Sequence, residues 1–277
     1  MRNVIKIKNI KIGGNNPLVF IAGVCIIESE DWTFNIAREL KQITKSLNVP
    51  FIFKASYDKA NRSSVHSFRG IGFNEGIQIL KKIKKELNIP ILTDVHCQTE
   101  IDEVAKVADV IQIPAFLCRQ TSLIIKAAST GKTINVKKGQ FLSPFEVKNV
   151  VEKIKSTGND KIMITERGYS FGYNNLVVDM RSFPIMKKFG CAVIYDATHS
   201  LMLPGGEGSA SSGEREYIPY LARATVAVGI DGVFLEVHNK PEKALSDKGT
   251  VYPIDKLCEL IKQLRDIDQL VKGFALK

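Results

Sequence analysis

Four side chains in this sequence make a mixed sulfur, nitrogen and oxygen donor set: Cys25, His199, Glu236 and Asp247. A thiolate, an imidazole and two carboxylates suit a divalent transition metal, and zinc, iron and manganese all accept such donors. A second set is cationic: Lys54, Lys59, Arg62, Lys137 and Arg167. Brought to one place, these groups would hold an anion with phosphate and carboxylate groups, since both accept charge-assisted hydrogen bonds. Asp94 and His96 form a third, closely spaced pair that could hold or move a proton. Each residue has a plainer use when taken alone. Cys25 then reads as a buried apolar thiol, His199 as a structural histidine, and Arg167 as an ion-pair partner of Glu166. Only convergence separates the two uses, and convergence depends on the elements that carry the residues.

Those elements alternate. Short apolar runs of strand type predict strands at about 18–25, 51–57, 91–96, 110–115, 133–138, 161–167, 192–199 and 232–238. Longer patterns of helical spacing fill the gaps, at about 33–47, 74–88, 99–108, 119–130, 144–157, 182–189, 215–229 and 254–270. Ser143-Pro144 opens one helix, and Gly131, Gly158 and Gly190 each follow the end of one. Strand–helix units in series imply a parallel sheet, and eight of them is the number that closes a barrel. The expected architecture is a single α/β domain over residues 1–277, a (β/α)8 TIM barrel. The alternating segment at about 1–17 would form a β-hairpin cap at one end. An open doubly wound sheet would carry a glycine-rich phosphate loop after its first strand, and residues 22–29 read AGVCIIES instead. Gly131-Lys132-Thr133 mimics the end of a P-loop, but position 126, where its partner glycine belongs, is Lys126. The segment 204–213, PGGEGSASSG, reads as a flexible loop of the kind that forms lids.

Barrel chemistry sits at the C-terminal ends of the strands. The strand starts here are mostly apolar: Leu18, Phe51, Ile91, Val110, Ala192 and Val233. The ends carry Cys25, Lys54, Asp94 and His96, Gln112, Lys137, Arg167, His199 and Glu236. Closure makes the eighth strand a neighbour of the first. Cys25, His199 and Glu236 therefore come from three contiguous strands, and Asp247 lies on the loop after the eighth.

Composition narrows the partners. With 44% hydrophobic and 25% charged residues in 277, the chain is globular in type. The five cysteines are scattered and form no C-x-x-C pair, so a reducing cytoplasm without disulfides is expected. No run approaches the roughly 18 apolar residues of a membrane span, and the N-terminus has no signal-peptide core. The net charge of +10 raises nucleic acid as a partner. The densest basic run, Lys81, Lys82, Lys84 and Lys85, is interleaved with Ile77, Leu80, Ile83 and Leu87 at helical spacing. That pattern is a solvated helix face, so neither nucleic acid nor a membrane is expected as a partner.

Several motifs carry a resemblance. The run from Lys54 to Ser64, KASYDKANRSS, is similar to the second-strand motif of the 3-deoxy-D-manno-octulosonate 8-phosphate synthase family. DVH at 94–96, QIPAFLCRQT at 112–121, NVKKGQF at 135–141, TERG at 165–168, DATHS at 196–200, LPGG at 203–206 and FLEVH at 234–238 follow in the family's order. The related heptulosonate 7-phosphate synthases carry Lys-Pro-Arg-Thr where this chain has Lys59-Ala60-Asn61-Arg62-Ser63. The resemblance implies condensation of phosphoenolpyruvate with arabinose 5-phosphate and water, as a step toward lipopolysaccharide, by a cytoplasmic homotetramer. It assigns Lys54, Lys59, Lys137 and Arg167 to phosphoenolpyruvate, with His96 and Gln112 also in the substrate site. Asn61, Arg62 and Ser63 match contacts to the sugar phosphate, and Arg119 an arginine that reaches the sugar phosphate of a neighbouring subunit. Lys137, His199, Asp247 and Asp94 form the candidate catalytic set, with Lys137 the candidate acid. The family has a metal class, with Cys, His, Glu and Asp ligands, and a metal-free class with Asn at the Cys position. Cys25 and Ser246-Asp247 resemble the metal class, though Val24 replaces its usual proline before the cysteine. A heptulosonate 7-phosphate synthase using erythrose 4-phosphate and a non-catalytic phosphosugar-binding barrel are the alternatives.

Overall fold

A computed structural model describes residues 4–207 and 210–274. The chain opens with an antiparallel hairpin, β1 (Ile5–Ile7) and β2 (Ile10–Ile12), in register Ile5 to Ile12. Strands and helices then alternate: β3 (Val19–Gly23), α1 (Glu30–Ser46), β4 (Phe51–Lys54), α2 (Phe73–Leu87), β5 (Ile91–Asp94), α3 (Ile101–Val107), β6 (Val110–Ile113) and α4 (Thr121–Ala128). Next come β7 (Thr133–Lys137), α5 (Val147–Lys155) and β8 (Ile162–Glu166), then a small ribbon of β9 (Tyr169–Ser170) and β10 (Leu176–Val177), and α6 (Ser182–Lys187). β11 (Ala192–Asp196) leads into a second ribbon, β12 (Met202–Glu207) with β13 (Ala210–Gly213). α7 (Ile218–Val228), β14 (Gly232–His238), β15 (Tyr252–Pro253) and α8 (Leu257–Phe274) complete the described chain.

The parallel strands run β11-β8-β7-β6-β5-β4-β3-β14, and β14 pairs back onto β11. The sheet is therefore a closed eight-stranded barrel ringed by helices, with a hairpin at one end, as the alternation predicts. Its two faces follow the period-2 rule. Leu18, Phe20 and Ala22 pack outward with the helix faces, in one cluster that includes Ile36, Leu40, Ile77 and Leu80. Val19 and Ile21 point inward and meet Ile52, Leu92, Val110, Met163, Ile194 and Phe234. Ile5, Ile7, Ile10 and Ile12 of the hairpin join that inner cluster and close the N-terminal end of the barrel. Burying each such side chain contributes about 1.5–3 kcal/mol.

The basic run on α2 behaves as a solvated face. Lys84 bonds Asp109 at 2.9 Å, Lys82 pairs with Glu30, and Ile77, Leu80, Ile83 and Leu87 are buried. Asn88, in the left-handed conformation, ends the helix.

Two regions differ from the sequence pattern. Residues 204–213 are not a plain loop, since Leu203 pairs with Ser212 in the β12–β13 ribbon; residues 208 and 209 lie outside the described residues. Glycine and serine weaken the strand signal there, while the ladder bonds need only backbone. Several strands also end sooner than the apolar runs suggest. β4 stops at Lys54 and β11 at Asp196, because the chain turns away from the ladder at the rim. Close packing at that rim fixes one glycine. A Cβ on Gly23 would lie 1.8 Å from the Lys54 carbonyl oxygen, so only glycine lets β3 reach Cys25 beside β4.

Candidate active site

Above the apolar plug, the inward positions turn polar. Gln112, Asn135 and Thr165 are buried and form a chain: Asn135 Nδ2 donates to Gln112 Oε1 at 3.0 Å, and Thr165 Oγ1 donates to Asn135 Oδ1 at 2.7 Å. This neutral layer separates hydrocarbon below from charge above. The charged layer lines two adjoining cavities of about 360 and 160 Å³. Lys54, Asp94, His96, Gln112, Lys137 and Glu236 line only the larger. Arg62, Ser63 and Asp247 line only the smaller. Lys59, Asn61, Arg167 and His199 line both.

The donor set converges where the sequence places it. Cys25 Sγ lies 3.0 Å from Asp247 Oδ2, and one ligand atom each from Cys25, Glu236 and Asp247 fall within 4.8 Å of one another. His199 stands beside them, with Nε2 3.4 Å from Glu236 Oε2 and 3.7 Å from Asp247 Oδ2. Asp196 Oδ2 sits 2.8 Å from the other ring nitrogen of His199. That contact frees Nε2 for a ligand, the usual outer support of a metal-bound histidine. Glu236 Oε2 is buried and has no hydrogen-bond partner among the described residues. Burial, then Asp247 and Glu236, push the Cys25 thiol well above its ordinary pKa, so it holds its proton until a cation arrives. An orphaned carboxylate oxygen, a thiol and a pre-oriented imidazole fit a divalent metal, which Cys25, Glu236 and Asp247 could hold with His199 beside them.

The cations converge too, but several turn toward the carboxylates. Lys54 is 1% exposed; its Nζ donates to Glu236 Oε1 at 2.5 Å and to the Val24 and Cys25 carbonyls at 3.2 and 2.9 Å. It thereby holds the exit of β3 against Glu236. Lys59 Nζ is 3.7 Å from Glu236 Oε1 and 4.0 Å from Asp247 Oδ2. Burial works against its charge, but the carboxylates of Glu236 and Asp247 overcome that and raise its pKa. Arg62 donates to Ser246 Oγ at 2.9 Å and the Leu245 carbonyl at 3.3 Å, and lies 3.7 Å from Asp247 Oδ1. It ties its own loop to the one carrying Asp247.

Lys137 pairs with Asp196, and its ammonium lies 3.4 Å from the centre of the Phe234 ring. Burial lowers its pKa to about 8 despite Asp196. Arg167 lines both cavities and keeps Nη1 buried with no partner among the described residues. Asp94 accepts from Ser56 Oγ at 2.5 Å and lies 2.9 Å from His96 Nε2. His96 Nδ1 is 3.7 Å from Glu100 Oε2. Burial opposes a charge on His96, yet its hydrogen bond to Asp94 and the nearby Glu100 carboxylate raise its pKa to about 10, which makes it an imidazolium at neutral pH. Arg119 is exposed and lines neither cavity.

Three contributors have no role of their own in the sequence reading. Asp196 stands at a strand end inside the DATHS motif, where the sequence puts an ionisable group without its partners, and it shares the inward face with Ile194. Ser246 and Gln140 sit on loops, where periodicity carries no signal.

Comparison with known proteins follows the same lines. The model of the DAHP synthetase I family matches residues 2–273. A 2-dehydro-3-deoxyphosphooctonate aldolase of Geobacter metallireducens is 56% identical over 272 residues, 98% of this chain and 100% of that one. A protein of the same name from Geotalea uraniireducens is 56% identical over 268 residues, 97% of this chain and 98% of its own. One from Francisella philomiragia is 53% identical over 269 residues, 97% of this chain and 98% of its own.

Proposed function

This chain belongs to the DAHP synthetase I family, and from that premise we propose that it condenses phosphoenolpyruvate with D-arabinose 5-phosphate and water. The products are 3-deoxy-D-manno-octulosonate 8-phosphate and inorganic phosphate, on the way to lipopolysaccharide. The observation that carries this reading is the pair of adjoining cavities. Lys137 and Arg167 line the larger, Arg62 and Ser63 the smaller, and Lys59 and Arg167 stand where they meet. Two anionic substrates can thus be held end to end, which supplies proximity for a reaction between them.

The enol C3 of phosphoenolpyruvate attacks the aldehyde carbon, and water attacks C2. The C2–O bond to phosphate then breaks. Lys59, Lys137 and Arg167 hold the carboxylate and phosphate of phosphoenolpyruvate, and Asn61, Arg62 and Ser63 hold the sugar phosphate. Lys54 works one step back, fixing Glu236 and the β3 exit. Negative charge develops on the aldehyde oxygen, and a positioned cation stabilises it. Lys137, with its lowered pKa, can give up a proton there more readily than a free lysine. His96 holds Asp94 ionised and aimed at the cavity, while Asp196 orients His199. Asp94 and Asp247 are the candidate groups to receive protons from the attacking water, while His199 Nε2 is left to the metal. A divalent metal on Cys25, His199, Glu236 and Asp247 would supply Lewis-acid stabilisation of the aldehyde oxygen.

Other features support the finer parts of the reading. The five cysteines are free thiols, in keeping with a reducing cytoplasm. Exposed Arg119 suits a homotetramer in which it reaches a neighbour's sugar phosphate. The Lys59–Ser63 run and the relatives' name favour the octulosonate over the heptulosonate reaction. Purified protein should release phosphate from phosphoenolpyruvate when arabinose 5-phosphate is present. Equal turnover with erythrose 4-phosphate, or none with either sugar, would defeat the proposal.

A further inference from the structure

Lys138 and Glu166 are chain neighbours of two cavity residues, Lys137 and Arg167, but they stand on the other face of the barrel wall. Val136 and Ile164 on that face pack outward with the helices. Asn135 and Thr165, on the inner face, belong to the polar chain under the cavities. The period-2 rule therefore sends Lys137 and Arg167 inward and Lys138 and Glu166 outward. Both outward side chains are buried, with Lys138 Nζ 3.4 Å from Glu166 Oε1. The Glu166–Arg167 ion pair that the sequence allows does not form, because successive side chains of a strand face apart. Glu166 goes to Lys138, and Arg167 stays free for a ligand.

The pair holds backbone as well. Glu166 Oε1 accepts from the Gly168 amide at 2.8 Å, which closes a turn around Arg167. Lys138 Nζ donates to the Gly139 and Leu142 carbonyls at 3.2 Å each and lies 3.5 Å from the centre of the Tyr169 ring. One ammonium thus ties the exit of β7 to the exit of β8, and the tied backbone carries Lys137 and Arg167. Those two cations line the larger cavity. Burial opposes both charges of the pair, lowering the Lys138 pKa and raising that of Glu166, so each charge depends on the other. Such a buried pair adds little stability over apolar residues of similar volume.

We propose that Lys138 and Glu166 are positioning residues, whose outward pair sets the spacing of Lys137 and Arg167 and thereby the hold on phosphoenolpyruvate. The inference rests on the substrate reading above. Neither residue lines either cavity, so the pair acts through the backbone it fixes. If the two exits shift against each other, the cations that grip one small anion no longer reach it together, and displacements of about 1 Å are costly there.

The test removes the pair without stranding a charge. Lys138→Met/Glu166→Gln keeps similar side-chain lengths and an acceptor for Gly168, and it breaks the tie between the strands. Calorimetry measures phosphoenolpyruvate binding, and steady-state kinetics with arabinose 5-phosphate give both KM values. Wild-type protein that fails to bind phosphoenolpyruvate, or to turn it over with that sugar, defeats the substrate reading and not this inference. The double variant should bind phosphoenolpyruvate about 10-fold more weakly, with its KM rising in step, while the KM for arabinose 5-phosphate stays within about twofold. Ile12→Ala, in the plug at the far end of the barrel, is the reference for lost stability alone, and its phosphoenolpyruvate affinity should equal that of wild type. Unchanged phosphoenolpyruvate affinity in the folded double variant, equal rises in both KM values, or a matching loss in Ile12→Ala would each overturn the proposal. If circular dichroism shows the double variant misfolded, Glu166→Gln decides in its place. It should weaken phosphoenolpyruvate binding at least about threefold with the sugar KM unchanged, and wild-type affinity there refutes the inference.

Discussion

The two ends of the barrel are made from the same eight strands under the same alternation, yet they are built for different ends. At the N-terminal end, inward positions hold Val19, Ile21, Ile52, Leu92 and Met163, closed by four isoleucines of the hairpin. Two or four residues further along the same strands, inward positions hold Gln112, Asn135, Thr165, Lys54, Asp94, Lys137, Arg167 and Glu236, nearly all buried. Hydrocarbon at the bottom stabilises by leaving water. Charge at the top is costly to bury and persists only because every ion is held by another or waits for a ligand. The neutral Gln112–Asn135–Thr165 chain spaces the two regimes. One region should therefore answer mainly in stability and the other mainly in activity.

The largest expected effect is at the top. Cys25→Ala should lose bound metal and at least ~100-fold in turnover, as should chelation of the wild type, with readdition of a divalent transition metal restoring only the latter. Its thermal midpoint, measured without metal, should move little. Full turnover by protein shown to be metal-free would turn Cys25 back into a packing residue and erase the contrast at that strand.

Next comes the bottom. Ile12 is fully buried in the plug, and Ile12→Ala should destabilise by about 3 kcal/mol in a denaturant titration through lost burial and a residual cavity. Its kcat/KM at low temperature should match the wild type. A large activity loss in folded protein would show that the plug positions the mouth and does more than hold it together.

Arg62→Ala should raise the KM for the pentose phosphate by roughly 2–3 kcal/mol in binding terms, the cost of an unpaired phosphate. Because Arg62 also holds Leu245 and Ser246, metal affinity should drop alongside. Weaker metal binding with an unchanged KM would confine Arg62 to the loop.

The smallest effect is in pH. Lys137 has its pKa lowered to about 8 by burial, so its cation is present below that value and lost above it. The kcat/KM for phosphoenolpyruvate should have fallen by about half at pH 8, since that parameter reports free-enzyme groups. Over the same window the unfolded chain binds the proton more strongly, so the Lys137 contribution to stability rises with pH. Activity and stability should thus move in opposite directions. A flat profile up to pH 9.5 would remove Lys137 as the acid.

The barrel itself was legible residue by residue. Apolar runs with β-branched residues marked the strands, and helical spacing of Ile77, Leu80 and Ile83 marked the faces that cover them. Alternation along Thr133, Asn135 and Lys137 showed which face carries polar groups. Closure then makes strands one and eight neighbours, which is why the sequence alone joins Cys25 and Glu236. Both facts depend on local periodicity and on chain order, which the sequence states outright. Pairing was beyond its reach. Lys54 and Arg62 read as ligand-binding cations, but the fold turns Lys54 onto Glu236 and Arg62 onto the loop of Asp247. Asp196 holds both Lys137 and His199, and Gln140 reaches both cavities from a loop without a pattern. A side chain chooses its partner by distance in three dimensions, between residues as far apart as Lys54 and Glu236, and no spacing along the chain records that choice.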